Sequence, residues 1–543
     1  WREGKKVCKR TIANLTDWPA RKVELLRRVL KDEPLVSPDE AFAIERSLPH
    51  GHIEAILAMG KRIGLDRLIS AKRTRERDLV LAMIVERLVC PCSKLATTRL
   101  LHTTTLADEL ALGDVDEDEL YAAMDWLLAR QSRIEKKLAK QHLAEGAQAL
   151  YDISSSYYEG HTCPLVTFGH SRDGKRGKPI VVYGVITDRL GRPVAVEVYP
   201  GNTADPSTVS DQVGKLKRRF GLARVVLVGD RGMLTQTQID HLKTHPGIGW
   251  ISALRTEKIR RLVEDQTIQP SLFDEQNLAE IHSDAFPDER LVACFNPLLA
   301  EKRRRTREEL LNVTEQALEK ICGQVQRRTK TPLSAAQIGQ KVGKVINRHK
   351  VGKHFQTTIA DGQFSYERDN DAIEQEAALD GLYIIRTSES AQALPAEEAV
   401  RSYKNLAQVE RVFRTLKGVD LAVRPIHHRT EDRVRTHIFL CALAYYLEWH
   451  LRQAWAPLLF HDEQLADDRQ RRDPVAPAKP SASAKRKKAQ RLTEDGLQIQ
   501  SFTTLISELG TRCRHRCRLK ADPDTPVIEQ ETQPTPLQAR AME

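Results

Sequence analysis

At 543 residues the chain is too long for one hydrophobic core, and two to four domains are expected. Lys and Arg outnumber Asp and Glu by 85 to 74, a net charge of +11 that favours a polyanionic partner. The longest apolar stretch, residues 438–447, is about half of the ~20 residues a membrane span needs, so it reads as a buried helix and no membrane partner is expected.

The nine cysteines form no regular framework and read as free thiols in a reducing compartment, hence a cytoplasmic protein. The chain opens on Trp1 rather than Met, which reads as a fragment with upstream residues missing. Residues 1–145 look mostly helical. Ser37-Pro38-Asp39-Glu40 has a cap, a proline at the first position and acids in the first turn, and residues 78–89 and 119–143 carry helical periodicity. A DNA-binding module and a plain helical bundle both fit this region.

From residue 146 the pattern turns to strands. Residues 149–155, 178–187 and 193–199 are apolar and β-branched, the last two separated by a hairpin loop at 188–192. A helical stretch (208–220) precedes the continuous apolar run 224–228, typical of a strand buried on both faces, and 247–255 supplies another strand. The order predicts an α/β sheet of mixed direction over 146–255.

Residues 256–395 interrupt that sheet. Between 300 and 355 there are 14 Lys and Arg against 5 Glu, a local net of +9 that makes Arg303, Arg304 and Arg305 candidate DNA contacts, although a charge run is also what a solvated helix face looks like. A hairpin at 354–368 turns at Asp361-Gly362, and 381–387 is strand-like. Helices resume at 397–417 and 431–452, in a region (396–455) that follows the interruption. Residues 456–543, rich in Pro, Ala, Ser and charge around Lys485-Arg486-Lys487-Lys488, read as a partly disordered tail with a short helix at 502–509. His427, His428 and His437 read as surface or helix-start histidines.

Three acids carry the chemistry. Asp152 interrupts the apolar strand Ala149-Leu150-Tyr151-Asp152-Ile153, where an unpaired carboxylate is expensive to bury. Asp230 ends the run Val225-Val226-Leu227-Val228-Gly229-Asp230, and carboxyl ends of sheet strands are where open α/β sheets form sites. Glu410 lies beside the stripe Leu406, Val409, Phe413 and Leu416. Tyr403, Glu410 and Lys417, seven apart, are expected along one helix edge at a spacing of roughly 10 Å. Taken singly each acid has a bland explanation: a strand-end Asp salt-bridged to an Arg, a turn Asp, and a solvated Glu410–Arg414 pair. Together they offer hard oxygen ligands for two Mg²⁺ or Mn²⁺ ions, which suits phosphodiester cleavage. Tyr403 and Lys417 are then placed to contact DNA phosphates.

These motifs resemble those of insertion-sequence transposases of the Asp-Asp-Glu superfamily, in the group with the signature Tyr, two residues, Arg, three residues, Glu, six residues, Lys. Tyr403, Glu410 and Lys417 stand at those spacings, while Leu406 replaces the Arg, and Arg414 is the candidate substitute. The first two motifs resemble Tyr151-Asp152-Ile153-Ser154-Ser155-Ser156 and Gly229-Asp230-Arg231-Gly232-Met233-Leu234. The resemblance spans roughly 145–455. It implies an RNase H-like mixed sheet with a large insertion before the last catalytic helix, and Asp152, Asp230 and Glu410 as the ligands of two catalytic ions. It also implies cleavage at transposon ends followed by strand transfer into target DNA, and a homodimer on double-stranded DNA. An RNase H-like nuclease that does not join DNA, and a transposase-derived DNA-binding protein without activity, remain alternatives.

Overall fold

The computed structural model describes residues 2–32, 42–519 and 527–543. The helix start expected at Ser37 lies outside the described residues.

Eight strands form one sheet, numbered here in chain order: β1 (Gln148–Tyr157), β2 (Ile180–Thr187), β3 (Pro193–Pro200), β4 (Val225–Val228), β5 (Ile248–Ala253), β6 (Leu278–Ile281), β7 (Arg290–Phe295) and β8 (Leu382–Thr387). Their spatial order is β3-β2-β1-β4-β5-β8-β7-β6. β1, β4 and β5 run parallel, and every other neighbouring pair is antiparallel. The first five strands make the expected RNase H-like mixed sheet. β2, β4 and β5 are buried along their whole length, which explains why they read as unbroken apolar runs.

The insertion does more than interrupt this sheet. β6, β7 and β8 come from it and extend the sheet by three strands, two of which local periodicity did not indicate. β6 is only four residues long, and β7 becomes a strand by pairing with β8, nearly ninety residues further along the chain. The rest of the insertion builds its own core. Leu311 and Leu318 on a 31-residue helix (Pro297–Arg327) meet Ile338 on a second (Ala335–Arg348), and both pack on Phe355 and Phe364 of the expected hairpin.

The helical N-terminal part includes α1 (Gly51–Arg62), α2 (Arg75–Val89), α3 (Glu117–Leu128) and α4 (Gln131–His142). The single periodic stretch read at 119–143 is thus two helices. α2 and α3 pack on α7 (Glu431–Ala454), a 24-residue helix with buried residues on all sides that also covers β3. One continuous core joins these helices to the sheet.

The C-terminal region docks back onto this assembly. Phe502, Leu505, Ile506 and Leu509 bury one face of the helix Phe502–Gly510 against α1. The strand Cys513–Leu519 pairs with Phe42–Pro49. Neither strand is legible locally, because its partner lies some 470 residues away. Two shorter helices link the insertion to α7: α5 (Ala396–Lys404) and α6 (Leu406–Lys417). The cysteines from Cys90 to Cys517 are free thiols. Among the described residues no helix is long and apolar enough to cross a membrane.

Candidate active site at the end of the parallel strands

β1 is ten residues long and β4 only four, so β1 continues past the end of its neighbour. The last paired residues are Leu150 and Val228; two residues further along each chain stand Asp152 and Asp230. Parallel register therefore sets the two acids side by side, on the same sheet face by the twofold alternation of strands.

That face carries α6. Val409, Val412, Phe413 and Leu416 are buried under it, and Phe413 meets Tyr183 of β2 edge-on at 5.8 Å between ring centroids. Tyr183 is paired with Ser154, two residues along β1 from Asp152. Anchoring Phe413 there places the exposed Glu410, one turn earlier, over the end of the sheet where the aspartates lie.

The electrostatics show the convergence. Burial first, then the Asp230 and Glu410 carboxylates, push the Asp152 carboxyl up to about 7, with its own backbone contact and Arg172 opposing. Burial followed by Asp230 pushes the Tyr403 hydroxyl up to about 12, and Glu410 and Asp152 add to that rise against Arg231. Among the described residues none of the three acids forms an ion pair, neither the Arg partner considered for Asp152 nor Arg414 for Glu410. Asp152 Oδ1 accepts only the Ile153 N–H, at 2.8 Å. The turn role read for Asp230 is real: its Oδ1 accepts the Gly232 and Met233 N–H groups at 3.1 and 2.7 Å. That role uses one carboxylate oxygen.

The donor set suits a hard divalent cation, since it consists of carboxylate oxygens without internal counter-charge around a half-buried acid. As they stand, no three His, Cys, Asp or Glu among the described residues lie close enough together to hold a metal ion.

Two expectations are corrected, those for Tyr403 and His437. Tyr403 does not share a helix with Glu410 and Lys417: α5 ends at Lys404, whose ammonium is bound by the Pro474, Val475 and Ala476 carbonyls, and α6 begins after Asn405. Leu406, at the position where the signature has Arg, is half-buried and packs on the main core. His437 is not at the surface. It is buried in α7 with Nε2 3.0 Å from the Val423 carbonyl, and half-buried His428 stacks on it at 5.1 Å.

Lys417, two turns along α6 from Glu410, sits in a tight cluster of its own. The Asp173 side chain, fully buried, takes Lys417 at 2.9 Å together with Arg424. Its other oxygen accepts the Tyr157 N–H at the end of β1. Arg172 binds Asp205 bidentately, and its backbone N–H donates to Ser155. Sequence reasoning missed this loop, although Ser171-Arg172-Asp173-Gly174-Lys175 is the one dense charge run between β1 and β2. Arg414 is exposed, with no partner among the described residues. On the insertion, Arg303 reaches the Leu379 carbonyl at 3.4 Å, while Arg304 and Arg305 pair with Glu301 and Glu309 at the exposed surface.

No protein of curated function matches the chain. Among solved structures, the piggyBac transposase synaptic complex with hairpin DNA aligns over 85% of this chain and 76% of that one at 9% identity, with a TM-score of 0.35. The Mos1 transposase paired-end complex with left transposon end aligns over 43% and 68% at 13% identity, with a TM-score of 0.14. The family model described as Transposase DDE domain matches residues 164–447, a span that contains Asp230 and Glu410 and begins after Asp152. With more than half of its length matched, the chain belongs to the DDE-domain transposase family.

Proposed function

We propose that this transposase cleaves DNA at the ends of its element and transfers the freed 3′ ends into target DNA, with Asp152, Asp230 and Glu410 holding two Mg²⁺ or Mn²⁺ ions. The observation that carries this reading is that the Asp230 and Glu410 carboxylates both act on the Asp152 carboxyl, while among the described residues none of the three acids has an ion-pair partner. Bound divalent ions would supply an activated water or hydroxyl and stabilise the leaving oxygen.

The chain's own residues then have distinct tasks. Asp152, held on a strand buried on both sides, is a rigid ligand whose proton must leave for it to bind a cation. Asp230 is fixed by its turn through one carboxylate oxygen, and the other accepts no hydrogen bond among the described residues. Glu410, on the exposed side of α6, is the ligand best able to adjust its reach. Tyr403 is a neutral donor at neutral pH and can bond a phosphate oxygen without adding charge. Lys417, Arg414 and the exposed Arg303, Arg304 and Arg305 are the proposed phosphate contacts. The spacing of Tyr403, Glu410 and Lys417 supports placement in the Tyr-Arg-Glu-Lys group. A homodimer on paired double-stranded ends, acting on the nucleoid in the cytoplasm, follows from that placement.

The test uses the full chain with DNA carrying the sequences that flank its coding region. Mg²⁺-dependent cleavage at those ends, lost on chelation and absent in Glu410→Ala while DNA binding persists, is the expected result. Cleavage by the purified variant sinks the site. Pre-cleaved ends separate joining from hydrolysis: products without strand transfer would make the chain a nuclease, and binding without cleavage an inactive DNA-binding protein.

A further inference from the structure

On the N-terminal side of Arg424 a recess of about 690 Å³ lies between α2, the segment that follows it and the start of α7. Its lining is strongly basic. Arg87, Lys94, Arg424, Arg429 and Arg433 face it, against one carboxylate, Glu117.

Two of these cations are buried without compensation. Arg87 is 6% exposed and Lys94 5% exposed, and among the described residues neither makes an ion pair or a hydrogen bond. Arg73, Arg77, Arg192 and Arg386, by contrast, are each held by a carboxylate. A buried charge without a partner costs several kcal/mol unless something neutralises it.

The neighbouring groups respond to that field. Burial and then Arg87 hold the Lys94 ammonium down to about 8, with the Cys441 and Cys92 thiols opposing. Burial, then Lys94, Arg87, Arg433 and His427, drive His428 down to about 3. His437 is likewise pushed well below its usual range, by burial, Arg87, His428 and Lys94, with the Val423 carbonyl opposing. The imidazoles are therefore neutral, and the fixed positive charge belongs to the Arg and Lys side chains. Tyr121 closes one wall, with Arg433 stacked 4.0 Å above its ring.

We infer that this recess binds a phosphate group, with Arg87 and Lys94 as its buried anchors and Arg433 at its wall. Its volume lies within the range of small-ligand sites and exceeds what a lone phosphate needs, so a phosphodiester with its flanking sugars fits. Arg424 ties it to the acids. The same guanidinium that lines the recess shares Asp173 with Lys417, so a strand running from the acid cluster over Lys417 arrives here next. The ligand is thus a backbone phosphate of bound DNA, an assignment that rests on the proposed function. Phosphate binding in itself does not.

The experiment uses the metal-free full chain and two probes, inorganic phosphate and a duplex oligonucleotide. Phosphate should raise the Tm saturably where chloride at equal ionic strength does not. Lys94→Met, which removes an uncompensated buried charge, should melt at or above the wild-type Tm in chloride and lose the phosphate response. Arg433→Gln, which leaves the buried pair intact, should weaken the response and serves if Lys94→Met does not fold. With the oligonucleotide, each substitution should lower the slope of log K against log salt by about 0.9. A phosphate response without that change in slope would overturn the DNA assignment and leave free phosphate as the ligand. No response beyond chloride would overturn the pocket. The proposed function fails separately: absent Mg²⁺-dependent cleavage beside an intact phosphate response would refute the catalytic reading alone, because Glu410→Ala should keep that response.

Discussion

In the insertion, charges answer one another. Arg307 is held by Asp380, Arg368 by Glu308 and Glu315, Lys353 by Glu376, and the buried Arg386 by Glu289. At the end of β1 and β4 the reverse holds. Among the described residues Asp152, Asp230 and Glu410 form no ion pair, and neither do the buried Arg87 and Lys94 beyond the Asp173 cluster. The segment with the largest positive surplus in the sequence keeps its cations exposed to water, Arg307 apart, whereas buried charge without an ion pair lies where the sequence is unremarkable in net charge. Net charge along a chain counts residues; a binding site depends on which charges lack partners after folding.

The strongest way to break this comparison is Glu410→Ala. Removing an acid that serves only an external ion should cut the cleavage rate by at least ~10³-fold, about 4 kcal/mol of barrier, and leave the urea midpoint within error of the wild type. Cleavage assays beside denaturation curves check it, and a folding defect of similar size would mean that Glu410 is structural.

Asp173→Ala tests the opposite class. It strands Lys417 and Arg424 around a buried vacancy and should cost roughly 3–5 kcal/mol in denaturant unfolding. A variant as stable as the wild type would show that the Asp173 cluster is no structural clasp.

Asp152→Asn should raise stability above pH 7 by roughly 1–2 kcal/mol. The folded carboxyl titrates near 7 and its ordinary value is 3.8, so between about pH 4 and 7 the native chain holds a proton that the unfolded chain has released. That group's contribution therefore falls as pH rises through the window and is least favourable above it. Paired melts at pH 5 and 8 read the effect, which should be smaller at pH 5 and vanish only below about pH 4. Saturating Mg²⁺ should stabilise the wild type more than the variant.

The smallest effect belongs to the insertion. Replacing Arg303, Arg304 and Arg305 by Gln should change stability by no more than about 0.5 kcal/mol per site, since exposed ion pairs contribute little. If the helix nonetheless contacts DNA, the salt slope of binding falls by up to about 0.9 for each lost contact. An unchanged slope removes this helix from the DNA surface and leaves the uncompensated cations near Arg424 as its centre.

Much of the sheet was legible from local pattern because β1 to β5 are buried strands whose side chains state their burial directly. The helices at 397–417 and 431–452 were legible from their apolar stripes, although not the break at Asn405. β6 and β7 were not, because a short strand has no periodicity of its own until a distant partner supplies its hydrogen bonds. His437 reads like any polar residue at a helix start, and only the packing of α7 between the N-terminal helices and the sheet buries it. Leu406, where the family signature has Arg, was visible as a departure. Its place in the apolar stripe already pointed to the core, where it packs.

The sequence by itself determined the five parallel and antiparallel strands, the three acids in order and their family. Those follow from side-chain type and spacing, which are local properties. Tertiary structure alone decided that Asp152 and Asp230 share a register, that Asp173 pairs with both Lys417 and Arg424, and that Arg87 and Lys94 have no ion-pair partner among the described residues. Each of these is a relation between residues remote in sequence, set by which surfaces bury one another, and burial is what turns an ordinary charge into one that must find a partner.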